Sequence, residues 1–252
     1  YNANTASTTS SDCLDASAGY YVGSTGQTTQ TECAAGTYQA STGQSSCIDA
    51  DAGNYVGSTG QTTQTECAAG TYQSATGQSS CIDADAGNYV GSTGQTTQTE
   101  CAAGTYQAST GQSSCTDASA GYYVDSTAQT AQTACAAGTF QASTGQSSCN
   151  VADAGYYVDS TAGIAQTTQT ACLAGTYNAN TGSTTSSDCL DADAGNYVGS
   201  TGQSSQTECA AGTYQASTGQ SSCIDADAGY YVPTTGQTSQ TECAAGTYQS
   251  LT

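Results

Sequence analysis

Cysteine thiols and carboxylates are the main reactive groups this chain offers, because it contains no Lys, Arg or His. The thiols fall at Cys13, Cys33, Cys47, Cys67, Cys81, Cys101, Cys115, Cys135, Cys149, Cys172, Cys189, Cys209, Cys223 and Cys243. Their gaps alternate between 20 and 14 residues, apart from one of 23 and one of 17. Such thiols could ligate a metal, attack a substrate or oxidise to disulfides. Structural zinc sites want close pairs of ligands, roughly two to four residues apart, and no such pair occurs. A cysteine or serine nucleophile needs an adjacent base, usually His or Lys, and neither exists. Cross-linking remains, and it predicts an oxidising setting, outside the cell or in the secretory route, where such bonds persist.

The carboxylates form two patterns. In D-A-D-A-G, at Asp49/Asp51, Asp83/Asp85, Asp191/Asp193 and Asp225/Asp227, alternating acids before a glycine resemble the start of a calcium loop. Calcium needs about six or more oxygens, and the closing glutamate of an EF-hand loop is missing. The columns are also broken, by Ser17 and Ser119 at the place of Asp51 and by Val151 at the place of Asp49. These eight aspartates are the calcium candidates and no other cofactor is expected. The reading favours solvated carboxylates, with diffuse divalent screening when acidic chains lie side by side. The second pattern places Glu32, Glu66, Glu100, Glu208 and Glu242 directly before a cysteine, which invites a paired-carboxylate hydrolase. An active site is one asymmetric constellation, whereas here no carboxylate is singled out, so no enzyme activity is expected.

What must position these groups is a repeat. A register of about 34 residues runs through the chain, most plainly where CIDADAGNYVGSTGQTTQTECAAGTYQSATGQSS recurs, and fixed-period self-similarity means a stacked array in which units touch chiefly their neighbours. The units read as a partial repeat 1–13, repeats 14–47, 48–81, 82–115 and 116–149, a repeat with insertions 150–189, a repeat 190–223 and a partial repeat 224–252. Each contains two halves: 64–80, QTECAAGTYQSATGQSS, aligns with 81–97, CIDADAGNYVGSTGQTT, through Ala69/Ala86, Gly70/Gly87, Tyr72/Tyr89 and Gly77/Gly94. The cysteine stands fourth in one half and first in the other, the mark of a 17-residue element duplicated with complementary cysteine loss. A longer echo, YNANTASTTSSDC at 1–13 and YNANTGSTTSSDC at 177–189, suggests a window on a longer array.

No stretch shows the 3.6-residue apolar period of a helix, and glycines would interrupt one. The phrase G-T-Y-Q-(A/S)-(S/A)-T-G-Q-S-S-C predicts strand, turn, strand, with Gly43, Gly77, Gly111, Gly145 and Gly219 at the left-handed place of a short hairpin loop. Gly26, Gly60, Gly94, Gly202 and Gly236 take that role in the companion phrase. The fold expected is therefore all-β, small and disulfide-rich: an elongated tandem array of short β-hairpins. Leu, Ile, Val and Phe make up 17 of 252 residues and the formal charge is -20, a combination that without cross-links predicts disorder. Bridges closing loops of about 15 residues each add roughly 3 kcal/mol, and the tyrosine column, Tyr21 and Tyr38 among its members, is expected to be the main packing element across the joints. Pairing over the 14-residue gaps leaves Cys13 and Cys243 without partners, pairing over the 20-residue gaps leaves none over, and spacing does not choose.

C-A-A-G-T-Y at Cys33–Tyr38 and Cys101–Tyr106, followed by T-G-Q-S-S-C, resembles the ephrin-receptor-like and tumour-necrosis-factor-receptor-like cysteine-rich repeats, with their C-x-x-G-x-Y, turn, C-x-x-C form. The resemblance covers nearly the whole chain, although C-x-x-C is broken everywhere, as at Cys81-Ile82-Asp83-Ala84. It implies an extracellular rod with bridges over the shorter gaps: Cys33 with Cys47, Cys67 with Cys81, Cys101 with Cys115, Cys135 with Cys149, Cys172 with Cys189 and Cys209 with Cys223. Similar repeats occur in large secreted surface and flagellar-hair (mastigoneme-like) proteins of protists and algae.

The absence of basic residues excludes a phosphate-binding surface, so neither nucleic acid nor an anionic membrane is an expected partner, and no run of about 20 apolar residues predicts insertion into a bilayer. The function expected is structural: an extracellular protein that self-associates to form or coat a filament. Ser/Thr runs such as Thr62-Thr63 and Ser7-Thr8-Thr9-Ser10-Ser11 are candidate O-glycan sites or plain turn formers, and no N-glycosylation sequon occurs. An ice- or carbohydrate-binding face built from T-x-T pairs such as Thr63/Thr65 is the alternative, and a receptor-like ectodomain the next. If sulfur replaces a large apolar core, reduction should abolish the far-ultraviolet circular dichroism of the folded chain and its resistance to a non-tryptic protease. A spectrum unchanged by reductant would overturn the stapling argument.

Overall fold

The computed structural model describes residues 1–159 and 165–248, so part of the longest cysteine gap and the last residues of the terminal partial repeat lie outside the described residues. The chain is all-β, with thirteen two-stranded antiparallel hairpins among the described residues. They begin with β1 (Tyr20–Tyr21) and β2 (Thr31–Glu32), β3 (Thr37–Tyr38) and β4 (Ile48–Asp49), and β5 (Asn54–Tyr55) and β6 (Thr65–Glu66). The chain divides into two compact units, residues 1–117 with 124–132, and residues 118–123 with those from 133 onward.

Each hairpin is launched by a tight turn that the sequence specifies. In Ser17-Ala18-Gly19-Tyr20 the Tyr20 N–H donates to the Ser17 carbonyl at 3.0 Å, and Gly19 has φ +84°. Positive φ at the third place is what a type II turn requires of glycine. The same bond runs from Thr37 to Ala34 and from Asn54 to Asp51. Tyr20 then pairs with Glu32 and Tyr21 with Thr31, and the Cys33 N–H to Gly19 carbonyl bond of 2.9 Å extends the ladder by one rung.

The loops are longer than the sequence phrase suggests. Tyr38 pairs with Ile48 and Tyr55 with Thr65, so nine residues intervene and the second strand begins after Cys47, not before it. The glycines expected at left-handed positions do occupy them, as Gly43 (φ +72°) and Gly60 (φ +69°) show, but in the middle of a wide loop. Three alanines share the column: Ala6, Ala128 and Ala165 have φ of +58°, +58° and +69°, a conformation that costs a non-glycine residue about 1 kcal/mol or more. In the 177–190 hairpin the three extra residues form a 3₁₀ turn at Ser186–Asp188, where Asp188 Oδ2 accepts the Thr184 and Thr185 N–H groups. Asp12 does the same for Thr8 and Thr9, so the echoed sequence carries an echoed structure.

Wide loops give each hairpin its neighbours. Within the first unit, the Gly19 N–H donates to the Gln39 carbonyl (2.7 Å) and the Val22 N–H to the Gln44 carbonyl (3.0 Å), bonding the first hairpin to the loop of the second. The Gly60 N–H donates to the Cys33 carbonyl (2.9 Å), bonding the third back to the first. Within the second unit the equivalents are Gly195 to Gln215, Val198 to Gln220 and Gly236 to Cys209. The turn glycine lies directly under the loop glycine two hairpins on: a Cβ on Gly19 would fall inside the van der Waals envelope of the Gly60 carbonyl oxygen, as would one on Gly53 with Gly94 or on Gly195 with Gly236.

The core is a narrow line of small residues at these joints, and tyrosine is not its main component. One buried column alternates valine with an amide, Gln39, Val56, Gln73 and Val90, and a second alternates cysteine with alanine, Cys33, Ala50, Cys67 and Ala84. Tyr21, Tyr38 and Tyr55 are half-buried, and Tyr231 is 45 % exposed. A phenol is too large for a joint where backbones bond directly, so its ring lies at the edge. The buried amides are satisfied: Gln39 Nε2 donates to the Ser46 carbonyl and its Oε1 accepts the Ser41 N–H. Among the described residues every buried side-chain nitrogen and oxygen has a partner.

The two glycine columns should therefore respond unequally to alanine. Gly53→Ala meets both the left-handed penalty of about 1 kcal/mol and a backbone collision, and should open the surrounding hairpins. Gly94→Ala should cost about 1 kcal/mol, and Ala128→Gly should stabilise by up to about 1 kcal/mol. Denaturant midpoints, with amide exchange in the adjacent hairpins, read all three, and equal effects at Gly53 and Gly94 would refute the close approach.

Candidate functional site

The repeated joint between hairpins is where the reactive side chains gather. Six disulfides are present, joining Cys33 to Cys47, Cys67 to Cys81, Cys101 to Cys115, Cys135 to Cys149, Cys172 to Cys189 and Cys209 to Cys223. They close the shorter gaps, the alternative that spacing left open and the family resemblance implied. Cys33 directly follows β2 and Cys47 directly precedes β4, with Cα atoms 5.7 Å apart, so a bridge ties the end of one hairpin to the return strand of the next. Cys13, exposed, and Cys243, half-buried, carry free thiols.

Between the bridged joints lies a second kind of joint, closed without sulfur. The Gln64 side chain reaches Asp51, its Oε1 accepting the Asp51 N–H and its Nε2 donating to Asp51 Oδ2, both at 2.7 Å. The exchange recurs at Asp85/Gln98, Asp153/Gln169, Asp193/Gln206 and Asp227/Gln240. Where Ser17 stands in the column, its N–H donates to Gln30 Oε1 at 2.8 Å. Gln64 lies seventeen residues from both Cys47 and Cys81, and Ala50 seventeen from Cys33. An amide-to-carboxylate clasp thus closes the position where its neighbours carry a disulfide.

This geometry accounts for the D-A-D alternation. Ala50 is fully buried while Asp49 and Asp51 are exposed, so the chain alternates inside and outside about a small core residue, as pleated backbone does. The two carboxylates diverge: Asp51 is held by Gln64, whereas Asp49 lies against Gly77, two hairpins on. Asp83, Asp191 and Asp225 share the column of Asp49, and Asp85, Asp193 and Asp227 that of Asp51. Among the described residues no three His, Cys, Asp or Glu side chains converge as metal ligands would.

The glutamates sit in the same strand position as Asp49, seventeen residues away, and tie hairpins together. Thr93 Oγ1 donates to Glu66 Oε2 at 2.9 Å, Thr127 to Glu100 at 2.8 Å and Thr235 to Glu208 at 2.9 Å, each from the loop two hairpins on. Glu32 accepts the Tyr20 hydroxyl at 2.8 Å and Glu242 that of Tyr230 at 3.1 Å. Hydrogen bonds from Tyr20 and then Thr59 hold the Glu32 carboxyl below the ordinary glutamate range. The bond to Glu32, and then its charge, push the Tyr20 phenol up, and Glu242 does the same to Tyr230.

Beside the bridges at Cys47 and Cys81 runs a shallow groove. That of about 460 Å³ bounded by Tyr21, Glu32, Thr37 and Cys47 recurs at Tyr55, Glu66, Thr71 and Cys81. Its walls offer hydroxyls, one carboxylate and a phenol edge at both places, whereas beside Cys172 the glutamate is replaced by Ala171. The clasp was the functional element that sequence reasoning missed. Its signal was present in the half-repeat alignment, which sets Gln64 against Cys81 and Ala84 against Cys67, the complementary substitution that a replaced cross-link leaves behind. No protein-family model matches the chain, and no curated protein matches it.

The Tyr20–Glu32 pair has a defined pH window. Glu32, with its folded value lowered, contributes stability at neutral pH that is lost as the pH falls through the acid range. Tyr20, with its folded value raised, contributes below the ordinary phenol range and loses it as the pH rises past that range. Glu32→Gln should flatten both edges of the denaturant midpoint against pH, whereas a parallel profile would show the pair to be uncoupled.

Proposed function

We propose that this protein is an extracellular structural element that self-associates to form or coat a filament. The observation that carries the reading is the joint: the same backbone bonds link a hairpin to the next and to the next but one in each unit, through glycines, buried valines and paired thiols or amides. A contact set that repeats along the chain presents matching surfaces without forming a closed set, and interfaces of that heterologous kind generate open assemblies. The reactive side chains serve the repeat: twelve thiols are spent in bridges, and Asp51, Glu66 and their equivalents hold neighbouring hairpins.

Disulfides at this density suit a secreted protein, and among the described residues no helix is long and apolar enough to cross a membrane. Thr62 and Thr63 are exposed on the loops, available for O-glycans that would cover open strand edges. Catalysis has no place in this reading, because the carboxylates recur in columns and are engaged in holding hairpins, as Glu66, Glu100 and Glu208 are by a loop threonine two hairpins on. Divalent ions would act by screening the charge of -20. Electron microscopy of the oxidised protein across a concentration series should show periodic fibres, more abundant with millimolar calcium or magnesium. A folded, strictly monomeric particle at every concentration would reject the filament reading.

A further inference from the structure

The joints alternate between one that a pulling force cannot open and one that it can. Between Cys33 and Cys47, 14 residue steps of chain are bypassed by a bridge whose Cα atoms stand 5.7 Å apart, so tension along the backbone passes through sulfur. From Cys47 to Cys67 the load must pass through 20 residues, comprising β4, β5 and β6, which are held by two-residue strand pairings, the Val56 contact and the clasp of Asp51 with Gln64. The second unit repeats the arrangement: the stretch from Cys189 to Cys209, held by the clasp of Asp193 with Gln206, lies between two bridges.

We infer that each 34-residue repeat is an extensible link with a covalent stop. Under tension the clasped stretch unzips and can lengthen toward about 70 Å, at up to about 3.5 Å per residue, while the bridged loop stays shut. Holding that loop shut withholds about 43 Å: 14 steps at up to about 3.5 Å, less the 5.7 Å already spanned. When tension falls, the stretch refolds between loops that were never lost. Its closure entropy stays small, and its partners lie within the next two hairpins, a low contact order that favours fast recovery. The inference gives the structural role a mechanical content, yet it is read on single molecules and so fails or stands apart from filament assembly.

The free thiols of Cys13 and Cys243 provide attachment points for force spectroscopy on the intact chain. In the oxidised protein, extension should occur in reversible increments set by the stretches between bridges, and a phosphine reductant should add about 43 Å for each 14-residue bridge opened and about 54 Å for the 17-residue bridge of Cys172 with Cys189. Ala84→Cys with Gln98→Cys, which places thiols seventeen residues on from Cys67 and Cys81, should shorten the release of one link by about 43 Å. Gln98→Ala should lower the force at which that link opens and leave its length unchanged. Release of the whole chain without reductant, no extension before covalent rupture, or an added bridge in that double variant that leaves the length unaltered would each overturn the stop. The oxidised and reduced comparison needs no substitution, so a variant that fails to fold does not shelter the idea.

Discussion

A two-residue strand pair cannot hold itself together in water, and every hairpin here is of that size. The structure depends on backbone meeting backbone between hairpins, where a turn glycine lies under the carbonyl of a loop glycine two hairpins on. That approach requires a residue with no Cβ below and a left-handed residue above. Once it is made, the N–H groups at Gly19, Val22 and Gly60 find their acceptors. Side chains then have little volume to fill, which is why valine, alanine and half-cystine suffice for a core.

The pairing of dissimilar halves follows from the same constraint. A joint this narrow admits one closure at a time, and the chain uses two: sulfur between Cys33 and Cys47, and an amide with a carboxylate between Gln64 and Asp51. The buried column beside them alternates in step, Gln39 bracing the loop of the bridged half and Val56 filling the clasped half. The hydrogen bonds of Thr93 to Glu66 and of Thr235 to Glu208 give the acidic column a cohesive task, so much of the negative charge is engaged with neutral donors, as it must be in a chain without cationic side chains.

The period, the half-period and the left-handed glycines were legible because each is a local requirement written at a fixed spacing, as Gly43 and Gly60 illustrate. Strand placement was less so: the run of small polar residues after Tyr38 reads as turn and strand, while Ile48 and Asp49 carry the pairing, since only beyond the bridge does the chain meet its partner. Tyrosine was overvalued as a packing residue because size alone argues for burial, whereas the backbone contacts leave it room only at the rim. The acidic alternation around Ala50 reads as ligand spacing in the sequence, while in the structure its two carboxylates diverge about a buried alanine. Ala128 shows the converse limit: its residue type alone argues against a left-handed conformation, and only its place in the column of Gly60 and Gly94 points to one.

Because bridged and clasped joints alternate, the gene for such a chain could grow or shrink in some increments more safely than in others. A gain or loss of 34 codons restores every column wherever the crossover falls. One of 17 is neutral only when it falls in the short step between a bridged loop and a clasped one; inside either loop it sets a cysteine opposite a glutamine or an alanine and leaves a thiol unmatched. Recombination between near-identical copies would thus be filtered by oxidative chemistry, with whole pairs of hairpins as the heritable step in length.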